Sequence, residues 1–165
     1  MRTYESAIRL QAPPDRLSYA YFKIGEVNNQ QDRYAQAVAP LQKSLRLDPD
    51  YAPAAFELGF AYTKLKQYEN ALEPLQHAAR LKPDDPDYQC RLGIANLDLG
   101  KLPSAVAAFQ QAIRLKPGYA ECYSFLGLAY VGMGNKEQAL QVYKKLQTID
   151  KEAARELLDV INTMK

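Results

Sequence analysis

The sequence predicts an all-α solenoid of antiparallel helix pairs, about ten helices long. Three observations lead there. The segments RLDPDY at 46–51, RLKPDD at 80–85 and RLKPGY at 114–119 begin 34 residues apart, and recurrence at such a period marks stacked supersecondary units. Within each period, apolar residues recur at helical spacing, as in Phe56, Phe60 and Ala61, followed by Ala71, Leu75, Ala78 and Ala79. The period-two alternation of a half-buried strand is missing.

Stacked at 34 residues, the chain yields four units, 18–51, 52–85, 86–119 and 120–153, with positions counted from 1 in each. Positions 7 and 8 hold Ile24-Gly25, Leu58-Gly59, Leu92-Gly93 and Leu126-Gly127. A glycine within a helix costs about 1 kcal/mol relative to alanine. Four glycines at one position therefore predict two helix backbones in close approach. The alanine at position 20 (Ala37, Ala71, Ala105, Ala139) is the expected small partner across that contact. Position 24 is large and apolar: Leu41, Leu75, Phe109 and Tyr143. Pro49, Pro83 and Pro117 each follow a helix whose last turn carries Arg or Lys, which suits the negative end of the helix dipole. Pro86 behind Asp85 predicts a first-turn proline after an acidic cap. Pro40 and Pro74 share position 23 inside second helices, where each removes a hydrogen bond and predicts a local kink.

This register resembles the tetratricopeptide repeat (TPR), and the likeness covers nearly the whole chain. The family pattern has an aromatic at position 4, Leu-Gly at 7 and 8, Tyr at 11, Ala at 20 and 27, a large apolar residue at 24 and Pro at 32. Tyr62 and Tyr130 fit position 11, where the other two units carry Asn28 and Asn96. Position 4 is aromatic only at Tyr21 and Tyr123, and Lys151 stands where a fourth proline was due. The resemblance implies a right-handed superhelical, TPR-like solenoid whose first helices line a concave face. It also implies a non-catalytic scaffold or adaptor that binds proteins.

The two ends differ. Residues 3–10, TYESAIRL, match the last half of a second helix, so 1–17 reads as the second helix of a truncated preceding repeat plus a linker. An end of that kind exposes apolar area, which favours end-on association into a homo-oligomer or a longer array. At the other end, 151–165 reads as a capping helix. Ala154, Leu157, Leu158, Ile161 and Met164 form one stripe, with Arg155, Glu156, Asp159, Asn162 and Lys165 opposite.

Composition narrows the function. With 21 basic and 19 acidic residues and no block of one sign, the chain gives no reason to expect a nucleic acid, and its basic residues cluster at helix ends. No apolar run approaches the roughly 18 residues of a membrane span, and the first residues lack the order of a secretory signal. The cytoplasm is slightly favoured on that ground. Cys90 and Cys122 form no CxxC pair and read as free thiols in helices. His77 has no cluster of metal ligands around it and reads as a surface or boundary residue. His77 and Cys90 lack any sign of the orienting group or oxyanion hole a nucleophilic pair would need. No enzyme activity, cofactor or metal is expected.

What remains is a binding face. By helical geometry, positions 2, 5, 9 and 12 of the first helices share the stripe turned away from the partner helix. Its middle holds Phe22, Phe56, Phe60, Cys90, Ile94, Leu97, Leu128 and Val131. Around these lie Glu26, Glu57, Asp87, Asp98 and Glu121, against Lys64 and Arg91. Family members that clamp the acidic tails of heat-shock chaperones carry Lys, Asn and Arg at positions 2, 5, 6 and 9. Here positions 5 and 9 are Phe22 and Glu26, then Phe56 and Phe60, so that partner is not expected. The predicted ligand is a protein or peptide segment with apolar anchors and some basic residues, lying in an apolar groove. The alternative is a self-associating assembly module that stacks through its N-terminal end.

Overall fold

Four times along the chain a helix ends, turns through one left-handed residue and reverses. The turning residue is always position 15: Asp32 (φ 57°), Lys66 (59°), Gly100 (69°) and Gly134 (71°). The next residue donates its N–H five residues back, from Arg33 to Asn28, Gln67 to Tyr62, Lys101 to Asn96 and Asn135 to Tyr130, at 2.8–2.9 Å. This closure satisfies carbonyls that a helix end would otherwise leave open.

The structure is a computed structural model, and it describes residues 13–164. Among these residues there are nine helices and no strand: α1 (Pro14–Gln30), α2 (Tyr34–Leu47), α3 (Ala52–Lys64), α4 (Tyr68–Leu81), α5 (Pro86–Asp98), α6 (Leu102–Leu115), α7 (Ala120–Gly132), α8 (Lys136–Leu146) and α9 (Lys151–Asn162). The helix expected over 3–10, and with it the exposed N-terminal end, lies outside the described residues, as does Lys165. Residues 14–17, read as linker, instead form the first turn of α1. Pro14 sits at the start of that helix, where its missing N–H costs nothing. Two compact units divide the chain, Met1–Lys82 and Pro83–Lys165.

In the first unit, α1 pairs with α2 and α3 with α4, while α3 also packs on α2 and α1. Leu41, Ala37, Leu58, Ala54 and Ala61 form its core. A Cβ added at Gly25 would run into the Leu41 side chain, and one at Gly59 into Leu75. The close approach is thus real; its nearest partner is position 24, and at Gly59 the alanine at position 20 also takes part, the Ala71 carbonyl oxygen lying 3.3 Å from an added Cβ. The alanines are fully buried beside the contact. One buried polar pair joins α1 to α2: Ser44 Oγ donates to the Ser18 carbonyl (2.9 Å), and Ser18 Oγ to the Ser44 carbonyl (3.1 Å). Both predicted kink sites lie within helices that continue past them, Pro40 in α2 and Pro74 in α4.

The second unit repeats this plan and closes it. A Cβ at Gly93 would lie 2.5 Å from two ring carbons of Phe109. At Gly127 the filling residue is not Tyr143 of the same repeat but Leu157 of α9. The capping helix therefore completes the last hairpin, and its Ala154, Leu157 and Ile161 are buried as expected. Asp150 caps α9, accepting from the N–H groups of Glu152 and Ala153 at 3.0 Å. Asp85 caps α5 in the same way ahead of Pro86, accepting from Asp87 N–H at 2.9 Å.

The split at position 11 also has a physical reason. Tyr62 and Tyr130 receive a hydrogen bond on the hydroxyl from Gln42 Nε2 (2.9 Å) and Gln110 Nε2 (3.1 Å), tying one repeat to the one before. Asn28 and Asn96 are buried and donate instead to carbonyls of their own helices, Ile24 and Leu92, both at 2.9 Å.

Holding an L-residue in the left-handed region costs on the order of 1–2 kcal/mol, a penalty glycine escapes. Lys66 is exposed and bears this cost. Lys66→Gly should therefore stabilise the protein by about 0.5–1 kcal/mol in urea unfolding, after glycine's extra unfolded-state entropy is set against the gain. A loss of stability would show that the side chain, not the backbone, matters at this turn.

Candidate functional site

Position 8 faces the partner helix; positions 5, 9 and 12 lie on the adjoining flank, and in each unit the two first helices pack against each other. In the first unit this face is aromatic. Phe56 and Phe60 are half-buried on α3. Tyr34 meets Phe60 edge-on at 5.9 Å, and the Lys64 ammonium lies 5.4 Å from the Phe60 ring centroid, within cation–π range. On α1, Phe22 is only 7% exposed because Tyr51 packs edge-on against it at 5.1 Å. Tyr19, 49% exposed, continues the surface, 6.1 Å from Phe22. Lys23 bridges to half-buried Glu26 and lies 5.6 Å from the Phe22 ring.

Asn29 links the two first helices of this unit. Its amide donates to the Glu57 carbonyl (3.0 Å) and to Glu57 Oε2 (2.7 Å). Its own Oδ1 is buried without a hydrogen-bond partner.

The second unit presents a different face. Leu97, Leu128 and Val131 are half-buried on α5 and α7, whereas Ile94 is 7% exposed and belongs to the core. Asp87 is exposed, and its carboxylate acts on the Tyr119 hydroxyl, with Arg91 nearby. Burial, and then the Asp87 carboxylate, hold that hydroxyl well above the ordinary tyrosine range. The Lys116 ammonium lies 4.2 Å from the Tyr119 ring centroid.

Cys90 requires a correction on two counts. It is not a free thiol but is disulfide-bonded to Cys122, with a Cα–Cα distance of 5.9 Å, inside the range such a bond spans. At 1% exposure it does not line a groove; it cross-links α5 to α7 beneath the surface. Phe22 and Ile94 likewise support the face from below rather than form it.

His77 lies among Pro49, Arg80 and Asp50, whose Oδ1 is 3.6 Å from Nε2. Nε2 donates to the Pro49 carbonyl (2.9 Å) while Nδ1 accepts from Arg80 Nη2 (3.2 Å). Among the described residues no three His, Cys, Asp or Glu side chains gather as metal ligands, and no helix is long and apolar enough to cross a membrane.

Residues that the sequence reading missed are Tyr19, Asn29, Tyr51 and Tyr119. The last two had a signal, since tyrosine ends two of the three RLxPxx copies. That position was read as turn punctuation alone, yet each ring walls the face it adjoins.

Three family models match the chain: "Tetratricopeptide repeat" over residues 29–92 and again over 120–153, and "TPR repeat" over 95–134. The chain belongs to the tetratricopeptide-repeat family. Solved structures agree. MamA is 27% identical with a TM-score of 0.83, covering 93% of this chain and 88% of its own. YrrB, a TPR protein with an unusual peptide-binding site, is 27% identical with a TM-score of 0.81, over 86% of this chain and 74% of its own. MamA from Desulfovibrio magneticus RS-1, from residue 41 to its end, is 22% identical, so its TM-score of 0.78 over 92% and 93% speaks for the fold alone. No curated protein matches by sequence. The TPR chain is thus an all-α repeat solenoid of the kind that serves as a protein-interaction scaffold.

The disulfide closes a loop of 32 residues in sequence separation. Loop-closure entropy then gives it about 3–4 kcal/mol of stabilisation. Reduction should lower the unfolding midpoint accordingly, and thiols should titrate only after reduction. Two thiols reacting in the denatured, unreduced protein would contradict the cross-link.

Proposed function

We propose that this TPR protein is a non-catalytic scaffold whose first-helix faces bind an extended or helical segment of another protein. The segment carries apolar anchors and some basic residues. The observation that carries the reading is the pair Phe56 and Phe60, half-exposed on a face with Tyr19 and rimmed by Glu26 and Glu57. A soluble domain gains by burying such rings, and burial of apolar area drives association as it drives folding. The carboxylates favour a cationic neighbour in the ligand. In the second unit, Leu97, Leu128 and Val131 offer a smaller apolar surface, with Asp87 and Glu121 exposed at its rim.

The fold supports this function from another side. YrrB, similar in structure to this chain, has a peptide-binding site. Positions 5 and 9 here hold no clamp for an acidic tail, so the ligand differs from the carboxylate-terminated peptides that some TPR proteins take.

The test is affinity capture from source-cell lysate, run in parallel with Phe56→Glu/Phe60→Glu, a variant first shown by circular dichroism to be helical. Proteins retained by the wild type should be lost by the variant, since two buried carboxylates without partners would cost the complex several kcal/mol. Equal capture by both would refute binding through this face.

A further inference from the structure

The first unit carries a second concavity on another side of α3. A depression of about 760 Å³ lies between α2 and α4, with Leu58 and Ala55 of α3 in its floor and Leu45 of α2 in its wall. These are positions 4, 7 and 28, none of them on the stripe of Phe56 and Phe60.

Its counterpart in the second unit shows what the space accommodates. There, 68 residues on, a depression of about 400 Å³ is lined by Gln110, Ile113, Arg114, Tyr123 and Leu126. These correspond one for one to Gln42, Leu45, Arg46, Ala55 and Leu58. Four of the five pairs are identical or similar in shape. The exception is position 4, where Tyr123 lines the second unit's depression and the first unit carries the small, fully buried Ala55. The first unit's depression is the larger, and its lining also takes in Glu69, Asn70, Glu73, Pro74 and His77 of α4.

The rim has a charge pattern of its own. Glu69 and Glu73 lie four residues apart on one side of α4 and are both exposed; neither is in an ion pair among the described residues. Pro74 also lines the depression and has no N–H, so the Asn70 carbonyl beside it cannot receive the usual helical hydrogen bond. Arg46 is the single arginine on the facing side.

We propose that this depression is a second docking site, and that it takes an aromatic side chain flanked by lysine or arginine in an extended segment of a partner protein. The partner's ring lies against Leu45 and Leu58, on the side where the second unit carries Tyr123. Its basic residue lies along Glu69 and Glu73, and a main-chain N–H reaches the Asn70 carbonyl. The site does not depend on the first-helix face.

The experiment is a titration of the ¹⁵N-labelled chain with acetyl-Lys-Tyr-Lys-amide, with acetyl-Lys-Ala-Lys-amide and acetyl-Glu-Tyr-Glu-amide as controls. Saturable shifts are expected at the amides of Leu45, Leu58, Asn70 and His77, with neither control saturating. Ala55→Tyr, which restores the ring found in the sister repeat, should weaken binding at least tenfold. Glu73→Lys changes only an exposed residue and should weaken it at least threefold, whether or not Ala55→Tyr folds. Phe56→Glu/Phe60→Glu should leave the titration unchanged, which separates this site from the first-helix face. Equal shifts with the alanine peptide, or shifts confined to the first-helix face, would overturn the proposal. So would a concentration-dependent dimer that Ala55→Tyr dissolves while the peptide has no effect, since that would give the depression to a second copy of the chain.

Discussion

The contact between the position-8 glycine and a large side chain of a neighbouring helix is the constraint on which the rest of each hairpin depends. Leu41, Leu75 and Phe109 each enter the space a Cβ would need at Gly25, Gly59 and Gly93. Glycine costs helix stability, and the side chain seated on it recovers that loss by burying apolar area. The contact also fixes rotation about the first-helix axis. Once position 8 is seated, positions 5, 9 and 12 are set on the adjoining flank, and the candidate face follows from the lock. The fourth hairpin makes the point by exception. Its glycine is filled by Leu157 of α9, so the helix after the fourth repeat is seated by the same contact that holds the hairpins before it.

Two kinds of surface arise from one repeat. Positions 5, 9 and 12 present Phe56, Phe60 and their neighbours on the first-helix face, while within each compact unit positions 4, 7 and 11 of the later repeat adjoin the second helix of the repeat before it. Small changes at these positions leave the fold intact and alter what it offers. Tyrosine at position 11 ties Gln42 to Tyr62 across the repeats, and asparagine turns that bond back into its own helix. At position 4, tyrosine lines the second unit's depression where the first unit has a buried alanine. At position 5, Phe56 contributes aromatic surface and Phe22 supports it from below, whereas Cys90 cross-links to the next first helix. Solenoids tolerate such variation because each repeat contacts only its neighbours.

Much of this was legible in the sequence. The four-fold register, the close approach at position 8, the acidic cap at Asp85 and the stripe of α9 all rest on local spacing, which a sequence displays directly. The rest depends on distances between helices. Cys90 and Cys122 lie 32 residues apart, two short of a full repeat, and only parallel packing of α5 and α7 makes them neighbours. The expectation that alanine meets the glycine holds at Gly59, through the Ala71 carbonyl, but it overlooked the larger side chain for a similar reason. Size suggested the smallest residue, yet the groove that glycine leaves is filled by the largest one at hand. The start of α1 was missed because Pro13-Pro14 resembled a linker, although proline is at home in a first helical turn. On the recognition face, the aromatic pair Phe56 and Phe60 was visible, but the burial of Phe22 and Ile94 was not, because Tyr51 and the second unit's core cover them from outside their own helices.

The most direct test of the central contact is a double-mutant cycle between Gly93 and Phe109, read by urea unfolding. In the wild-type background Gly93→Ala should destabilise by about 1–3 kcal/mol, because the new methyl meets the Phe109 ring. In a Phe109→Ala background the ring is gone, and the same change should stabilise by up to about 1 kcal/mol through helix propensity alone. A reversal of sign is the predicted result. The same effect in both backgrounds would mean that the glycine serves something other than this contact, and the account of the hairpin would fail with it.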